Sequence, residues 1–150
     1  MPAPLIHVLY ATVSGNAEEL SAATARRLTA AGWSVEIANL ADFPAADLAG
    51  AGTALFLVST WGDGEPPPDA AEFFVQVAAP DAPRLERLRY AVLALGSSRY
   101  PDFCGCGRRL DESLGARGAR RILNRVDCDV KLKAAFENWL ERVTDALGKP

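Results

Sequence analysis

Residues 5–20 of the chain, LIHVLYATVSGNAEEL, decide its fold. The apolar run over residues 5–11 predicts a strand that is covered on both faces. Asn16 is followed three residues later by Glu19, a spacing typical of a capping box at the start of a helix. The stretch therefore predicts a buried strand, a tight hydroxyl-rich loop and a helix.

The loop at this helix start has the features of an anion site. The first amides of a helix have no intrahelical acceptor and lie at the positive end of its dipole. Thr12, Ser14 and Asn16 surround that position, so one interpretation is a phosphate held by neutral donors. The loop has no lysine and lacks the G-x-G-x-x-G spacing, which argues against a Walker loop and a dinucleotide fingerprint. Taken alone, the stretch fits a capped turn without a ligand equally well.

Length, composition and net charge limit the possible number of domains, the partners and the location of the protein. The 150 residues are 49% hydrophobic and can bury a sizeable core, so we expect a single domain over residues 1–150. The net charge of −3 gives no electrostatic attraction to nucleic acid or to a membrane surface, and neither is expected as a partner. The first apolar run is too short for a signal peptide or a membrane span, so we expect a cytoplasmic protein.

The cysteines and the single histidine give no signal for catalysis or metal binding. Three cysteines, an odd number, suit a reducing compartment, and Cys104 and Cys106 lie too close together for a zinc knuckle. We expect these two residues and Cys128 to be buried thiols. His7 lies within the first predicted strand, where a core or sheet-face position is more typical than a catalytic one.

Further along the chain, apolar strands alternate with amphipathic helices. Strands are predicted at residues 33–39, 53–59, 90–96 and about 120–126, and Asp69 is expected to cap a helix. Five strand–helix units predict an α/β fold of three layers, with a five-stranded parallel sheet covered on both faces. The expected doubly wound order is 2-1-3-4-5, with ligands bound beyond the carboxyl ends of strands 1 and 3.

The loops at that edge carry unusual chemistry. Trp61 follows strand 3, Tyr100 follows strand 4 and Asp127 ends strand 5. An anion pocket flanked by two aromatic side chains suits a flat ring with a phosphate tail, and FMN fits that description. Gly62 and Gly64 would let the backbone approach the ring and change a peptide orientation with redox state. A lone aromatic on a loop is otherwise more typical of a plug at the edge of a core.

Charged residues near the same edge allow two interpretations. Carboxylates there would disfavour an anionic reduced flavin and offer a negative docking surface; they are Asp63, Glu65, Asp102, Asp127 and Asp129. Individually, Asp63 and Asp102 are interpreted as solvated loop-tip carboxylates, and Asp127 as part of the site. A basic stretch around the fifth strand is interpreted as a solvated face rather than a partner site; it comprises Arg117, Arg120, Arg121 and Arg125.

Three motifs together resemble the flavodoxin-like FMN proteins, in particular the short MioC-like flavodoxins and the FMN domains of sulfite reductase and cytochrome P-450 reductase flavoproteins. Residues 12–18, TVSGNAE, are similar to the family's phosphate loop. Residues 59–67, STWGDGEPP, are similar to its first flavin-ring loop, and residues 95–104, LGSSRYPDFC, to its second. The last strand lacks the insertion of long-chain members, so the resemblance implies a short-chain flavodoxin-like fold.

The resemblance also implies which residues contact FMN. Phosphate contacts fall on Thr12, Val13, Ser14, Gly15, Asn16 and Ala17. Ring contacts from the first ring loop fall on Ser59, Thr60, Trp61, Gly62 and Gly64. The second ring loop and the end of the fifth strand contribute Leu95, Gly96, Tyr100, Phe103, Cys104 and Asp127, with Tyr100 as the stacking residue.

The implied function is that of a monomeric electron carrier. It would take electrons from a separate NADPH-dependent flavoprotein reductase and pass them singly to a redox partner. The alternative is an FMN-dependent quinone or nitro-compound reductase, which needs an open substrate space over the ring; Trp61 and Tyr100 on the two ring faces argue against it. A phospho-receiver or interaction module is disfavoured, because hydroxyl residues follow strands 1 and 3 where a receiver needs acids.

Overall fold

The computed structural model describes residues 5–150. The strands are β1 (Leu5–Ala11), β2 (Ser34–Asn39), β3 (Thr53–Ser59), β4 (Arg89–Leu95), β5 (Arg120–Arg121) and β6 (Val126–Cys128). The α-helices are α1 (Asn16–Ala30), α2 (Ala71–Ala78), α3 (Gly105–Ala116) and α4 (Leu132–Leu147). Short 3-10 turns lie at Leu40–Asp42, Ala45–Gly50 and Pro68–Ala70. In this described part, no helix combines the length and the apolar character needed to cross a membrane.

The strands form one parallel sheet. The chain adds β2 on one side of β1 and the later strands on the other side, so the direction in which strands are added reverses at β1. Its order is β2-β1-β3-β4, and β4 pairs on its other side with both β5 and β6. The predicted order 2-1-3-4-5 is confirmed, with β5 and β6 together in the fifth position. β1 lies between β2 and β3, and Ala11 at its end pairs with Val58. The connection that follows β1 and the connection that follows β3 run to opposite sides. The carboxyl ends of these two strands therefore leave a crevice between them.

The last strand is interrupted, which corrects the prediction of one strand over residues 120–126. β5 pairs with the start of β4, and β6 pairs with its end. Residues 122–125 face only residues 91 and 92 of β4, so this segment is longer than the ladder can pair. Extra residues opposite a regular strand leave the ladder and bend the chain, as in a β-bulge.

The sheet separates two apolar cores, one on each face. Against α2 and α3 it buries residues that include Leu9, Phe56, Phe73, Tyr90 and Leu110. Against α1 and α4 it buries residues that include Val8, Leu28, Leu57, Leu93 and Trp139. Each large apolar side chain that is fully buried contributes about 1.5–3 kcal/mol. The predicted three-layer arrangement follows from this burial on both faces.

Two helix starts differ from the sequence predictions. The N-cap of α1 is Gly15, whose φ of 92° is left-handed, and no side chain caps the helix. Asn16 is the first helical residue, so the predicted capping box of Asn16 and Glu19 is wrong. Glycine adopts this backbone conformation without the steric cost of a Cβ. The N-cap of α2 is Ala70, at the end of the 3-10 turn that contains Asp69, so the predicted Asp69 cap is wrong as well.

The cysteines and the histidine occupy structural positions. Cys104, Cys106 and Cys128 are free and buried, as predicted. Burial raises the pKa of Cys104 and Cys106 to about 12 and that of Cys128 to about 11. These thiols therefore stay protonated at neutral pH, the form that is a poor nucleophile. His7 lies on β1, with its Nδ1 atom 3.9 Å from the Glu36 carboxylate on β2.

Candidate functional site

An open cleft lies at the carboxyl ends of β1, β3 and β4. It encloses a cavity of about 270 Å³. All three motif loops of the resemblance contribute to its walls: the phosphate loop (residues 12–18), the first ring loop (residues 59–67) and the second ring loop (residues 95–104). Val130 and Leu132, which follow β6, complete the lining. The cleft therefore lies where a doubly wound sheet binds its ligands.

The phosphate loop is shaped by its own hydrogen bonds. Thr12 Oγ1 accepts a hydrogen bond from the Gly15 amide at 2.8 Å, which closes the turn after β1. The Glu19 amide donates to the Gly15 carbonyl at 3.0 Å, and the amides that precede it in α1 have no acceptor within the helix. Ser14 and Asn16 line the cavity beside this helix start. Hydroxyl, carboxamide and backbone N–H donors at the positive end of a helix dipole fit a phosphate group.

The first ring loop contains a tight turn. The Trp61 amide donates to the Glu65 carbonyl at 2.8 Å, and the Glu65 amide donates to the Trp61 carbonyl at 2.9 Å. Gly62 and Gly64 take left-handed conformations, with φ values of 55° and 115°. Residues with a Cβ rarely adopt such conformations, so the turn favours glycine at both positions.

The second ring loop is anchored at both ends. The Gly96 amide donates to the Cys128 carbonyl at 3.0 Å, and the Cys104 thiol donates to the Ala94 carbonyl at 3.4 Å. Cys104 has a φ of 55°, the one left-handed value among the non-glycine residues described. Backbone strain of this kind is frequent at ligand sites. Between the two anchors, the side chain of Tyr100 lines the cavity and is 50% exposed.

Asp129, which follows β6, fastens the second ring loop from the opposite side. Its carboxylate accepts hydrogen bonds from the Ser98 amide at 3.1 Å and from the Ser98 hydroxyl. It also accepts one from the Val130 amide at 2.8 Å. The bonds from Ser98 hold the pKa of Asp129 below its ordinary value. From the sequence, Asp129 was expected on a charged rim, and its contact with Ser98 was not predicted.

Asp102 is ion-paired, which corrects its interpretation as a solvated loop-tip carboxylate. Arg108 Nη2 lies 2.6 Å from one oxygen of Asp102, and Arg109 pairs with the other. The hydrogen bond from Arg108, together with the nearby charge of Arg109, holds the pKa of Asp102 below its ordinary value. Among the described residues that line the cavity, Asp102 supplies the one carboxylate.

We expect the free energy of unfolding to fall as the pH is lowered into the acidic range. In the Asp129→Asn variant, the free energy of unfolding should fall less over the same pH change. A carboxyl whose native pKa is lowered stabilises the fold above its unfolded pKa of about 3.9, and this contribution disappears as pH falls through the native value. Both Asp102 and Asp129 behave in this way, so the decline lies below about pH 4. Urea unfolding at a series of acidic pH values measures the slope.

Asp63→Asn is the matched control, because Asp63 is an exposed carboxyl on the first ring loop. The slope should change more in Asp129→Asn than in the control. Equal slopes in the two variants would contradict the role assigned to the Ser98 hydrogen bonds.

The cleft brings together most of the residues predicted to contact FMN. From the phosphate loop and the first ring loop, its lining includes Val13, Ser14, Asn16, Ser59, Thr60 and Gly62. From the second ring loop, it includes Leu95, Gly96, Tyr100 and Cys104. The other predicted contacts lie outside the lining: Thr12, Gly15, Ala17, Trp61, Gly64, Phe103 and Asp127. The contact of each residue with FMN stays a prediction.

Two of the residues outside the lining have positions that bear on their predicted role. Trp61 is 45% exposed at the edge of the first ring loop. The carboxylate of Asp127 pairs with Arg125 at 2.8 Å. Conversely, Ser97, Asp102, Val130 and Leu132 line the cavity although the predicted site did not include them.

A buried carboxylate on α3 organises part of the basic stretch. Asp111 is 4% exposed and accepts hydrogen bonds from the Tyr90 phenol at 2.6 Å and from Arg121 Nε at 2.9 Å. Arg125 Nη1 lies 3.3 Å from its other oxygen. Burial and the bond to Asp111 raise the pKa of Tyr90 to about 12. The interpretation of the stretch as a solvated face is therefore wrong for Arg125, whose side chain is 23% exposed. Arg121 pairs with Asp111 but remains 43% exposed.

The fold and the cleft together place the chain in a class of proteins. These are the doubly wound α/β proteins that hold a phosphate-bearing ligand at the switch point of a parallel sheet. The flavodoxin family matches residues 8–139, and the chain belongs to the flavodoxin family. Flavodoxins are FMN proteins, so the cofactor predicted from the sequence is confirmed.

The curated relatives are flavoprotein subunits that are longer than this chain. The chain is 39% identical over 142 residues to the sulfite reductase (NADPH) flavoprotein alpha-component of Neisseria meningitidis serogroup A, in a match that covers 95% of this chain and 24% of the relative. It is 38% identical over 152 residues to the protein of that name from Bacillus subtilis strain 168, covering 99% of this chain and 25% of the relative. The chain thus spans about a quarter of the length of these relatives.

Solved structures of short flavodoxins share the fold. The flavodoxin of Streptococcus pneumoniae TIGR4 superimposes with a TM-score of 0.81 at 25% identity, covering 92% of this chain and 94% of that one. A short-chain flavodoxin associated with a PDU bacterial microcompartment gives a TM-score of 0.82 at 21% identity, covering 97% and 99% of the two chains. The second likeness concerns the fold alone.

Proposed function

We propose that residues 1–150 form an FMN-binding electron-transfer domain. It receives electrons from a separate NADPH-dependent flavoprotein reductase and passes them singly to a redox partner. Two relatives carry NADPH and flavoprotein in their names, and this chain corresponds to about a quarter of each. The donor and the partner are assigned to this chain by analogy with those names.

The observation that carries the proposal is the chemistry of the cleft lining. Its carboxylate, Asp102, is held in its charged form by Arg108 and Arg109, and its thiol, Cys104, stays protonated. Neither group is suited to move a proton near neutral pH, which a general acid or base must do. A cofactor site whose carboxylate and thiol do not exchange protons near neutral pH is suited to electron transfer rather than to acid–base turnover of a substrate.

The residues present fit FMN. Ser14, Asn16 and the free amides at the start of α1 would hold the phosphate, and Tyr100 would cover a face of the ring. Gly62 would give the backbone room beside the ring, because a Cβ there meets no atom within 4 Å. When bound, FMN supplies the capacity to accept and release electrons one at a time. The chain itself binds the group, orients it and leaves an edge of the cleft open.

Apolar side chains around the cleft support docking of a redox partner close to the cofactor. The large apolar residues that remain exposed near it are Val13, Trp61, Tyr100 and Val130. Exposed apolar groups clustered at one place mark interaction sites. We also propose that the domain is monomeric and works in the cytoplasm, where its three buried cysteines would stay reduced.

The alternative, an FMN-dependent quinone or nitro-compound reductase, is favoured by the position of Trp61. Its side chain is 45% exposed and outside the cavity lining, which leaves space over one side of the cleft. Oxidation of NADPH by a quinone, with this chain as the sole protein, would support that alternative. Reduction that requires an added reductase would support the electron carrier.

We expect Ser14→Ala to weaken FMN binding about tenfold, because a hydrogen bond to a charged group contributes about 1.5–3 kcal/mol. Riboflavin, which lacks the phosphate, is the matched control ligand and should bind both proteins alike. Flavin fluorescence quenching measures both affinities. Equal weakening for the two ligands would contradict a phosphate contact, and absence of FMN binding by the unmodified chain would overturn the proposed function. Anaerobic reduction of the bound flavin in two separate one-electron stages is expected for a carrier.

A further inference from the structure

Arg109 on α3 joins the two ring loops. Its guanidinium donates one hydrogen bond to the Gly64 carbonyl of the first ring loop. It donates another to the Asp102 carboxylate of the second ring loop. Arg108 also donates a hydrogen bond to Asp102, but none to the first ring loop within the described residues. Of these two arginines, Arg109 therefore bridges the loops.

The bridged segments are packed too closely for any side chain to intervene. A Cβ added to Gly64 or to Gly105 would overlap the Asp102 carboxylate. The same added Cβ on Gly64 would lie 3.0 Å from Arg109 Nη1. The Asp102 carboxylate thus packs between Gly64 and Gly105, and each of its oxygens pairs with one of the two arginine guanidinium groups.

This contact gives the turn at residues 61–65 one anchored side and one free side. Gly64 is anchored by Arg109 and Asp102. Gly62 has a left-handed φ, and an added Cβ there would meet no atom within 4 Å, so the steric cost of reorienting the peptides beside it is low. This unanchored side of the turn is the side that lines the cavity.

We propose that Arg109 is a positioning residue of the FMN site, which holds the turn at residues 61–65 against the second ring loop and so sets the reduction potential of the bound flavin. The inference rests on the proposed function and deepens it. Arg109 itself is 54% exposed and does not line the cavity, so it acts through Gly64 and Asp102. Its geometric role is separable from its charge, because the guanidinium makes two contacts from a rigid fork that lysine cannot reproduce.

The first experiment uses the protein without FMN and measures amide hydrogen exchange at Trp61 and Glu65, whose amides close the turn. In Arg109→Gln we expect these amides to exchange about tenfold faster, because opening the turn no longer breaks a charge-assisted hydrogen bond. Arg108→Gln is the matched control. It removes the same charge from the same carboxylate but keeps the bond to Gly64, and exchange should change less than about twofold. Equal exchange in the two variants would overturn the proposal.

The second experiment measures the midpoint potentials of the FMN-loaded proteins. We expect Arg109→Gln and Arg109→Lys both to shift the potential away from that of the unmodified protein, since each loosens the turn, although lysine keeps the charge. Arg108→Gln should shift it less than Arg109→Gln. Potentials that follow charge alone, with Arg109→Lys equal to the unmodified protein, would overturn the positioning role. Failure of the unmodified protein to bind FMN would instead overturn the proposed function, and the exchange measurement would still test the bridge.

Discussion

Replacing Asp111 with alanine is expected to lower the free energy of unfolding by about 3 kcal/mol. The carboxylate is buried and accepts hydrogen bonds from Tyr90, Arg121 and Arg125. Without it, a buried phenol and two partly enclosed guanidinium groups lose their partner, and unpaired buried polar groups are costly. Urea unfolding at pH 7, with and without the substitution, measures the loss.

Glu112→Ala is the matched control, since Glu112 is the next residue of α3 and its exposed side chain lies 3.9 Å from Arg108. A surface pair of this kind contributes at most about 1 kcal/mol, so the control should change stability little. The loss in Asp111→Ala should also be local. The Arg120 and Ile122 amides, which bond to the Leu88 and Tyr90 carbonyls, should exchange faster. Equal stability of the two variants would mean that the buried carboxylate does not hold the interrupted strand.

The fold could be predicted because local pattern and tertiary environment agree. Strand β3 was predicted over residues 53–59 and has those bounds, since its apolar residues fit only a strand covered on both faces. The predicted amphipathic character of the helices is seen in α4, where Phe136, Trp139 and Val143 are buried. Each pattern repeats over several residues, so a single deviation does not hide it.

The helix starts could not be predicted because two local signals compete there. Asn16 and Glu19 have the capping-box spacing, but Gly15 can take the left-handed conformation that lets the backbone enter the helix one residue earlier. At α2, the 3-10 turn moves the cap past Asp69 to Ala70. A spacing rule read from sequence does not decide which of two adjacent residues turns the chain.

The site could be predicted where it is made of contiguous loop residues. The three motif loops do meet at the cleft, because the parallel sheet brings the carboxyl ends of its strands to one edge. The pairings of Asp129 with Ser98, of Asp111 with Arg121 and of Arg109 with the Gly64 carbonyl could not be predicted. They join side chains from different elements, and no repeating pattern in the sequence encodes such a contact.

Gly107→Ala is expected to lower the free energy of unfolding by about 2 kcal/mol, although alanine is the better helix former. Gly107 lies in α3 where the helix packs on the sheet, and an added Cβ would overlap the Ala94 Cβ on β4 and lie 3.4 Å from Val58 Cγ2. Neither neighbour can yield easily, because Ala94 is held at its Cα by the sheet. The helix would have to move outward, which opens the core between α3, β3 and β4.

Gly115→Ala, near the end of the same helix, should have the opposite sign. An added Cβ there would meet only the Tyr90 hydroxyl, at 3.9 Å, so alanine is accommodated and should raise stability by about 0.5 kcal/mol. The two substitutions make the same chemical change in one helix, and they differ in what the new methyl group contacts. Thermal or urea unfolding of both variants separates helix propensity from packing. A gain in stability for Gly107→Ala would mean that α3 lies farther from β4 than the contact with Ala94 requires, and the anchor that α3 provides for Arg109 and Asp111 would then be looser too.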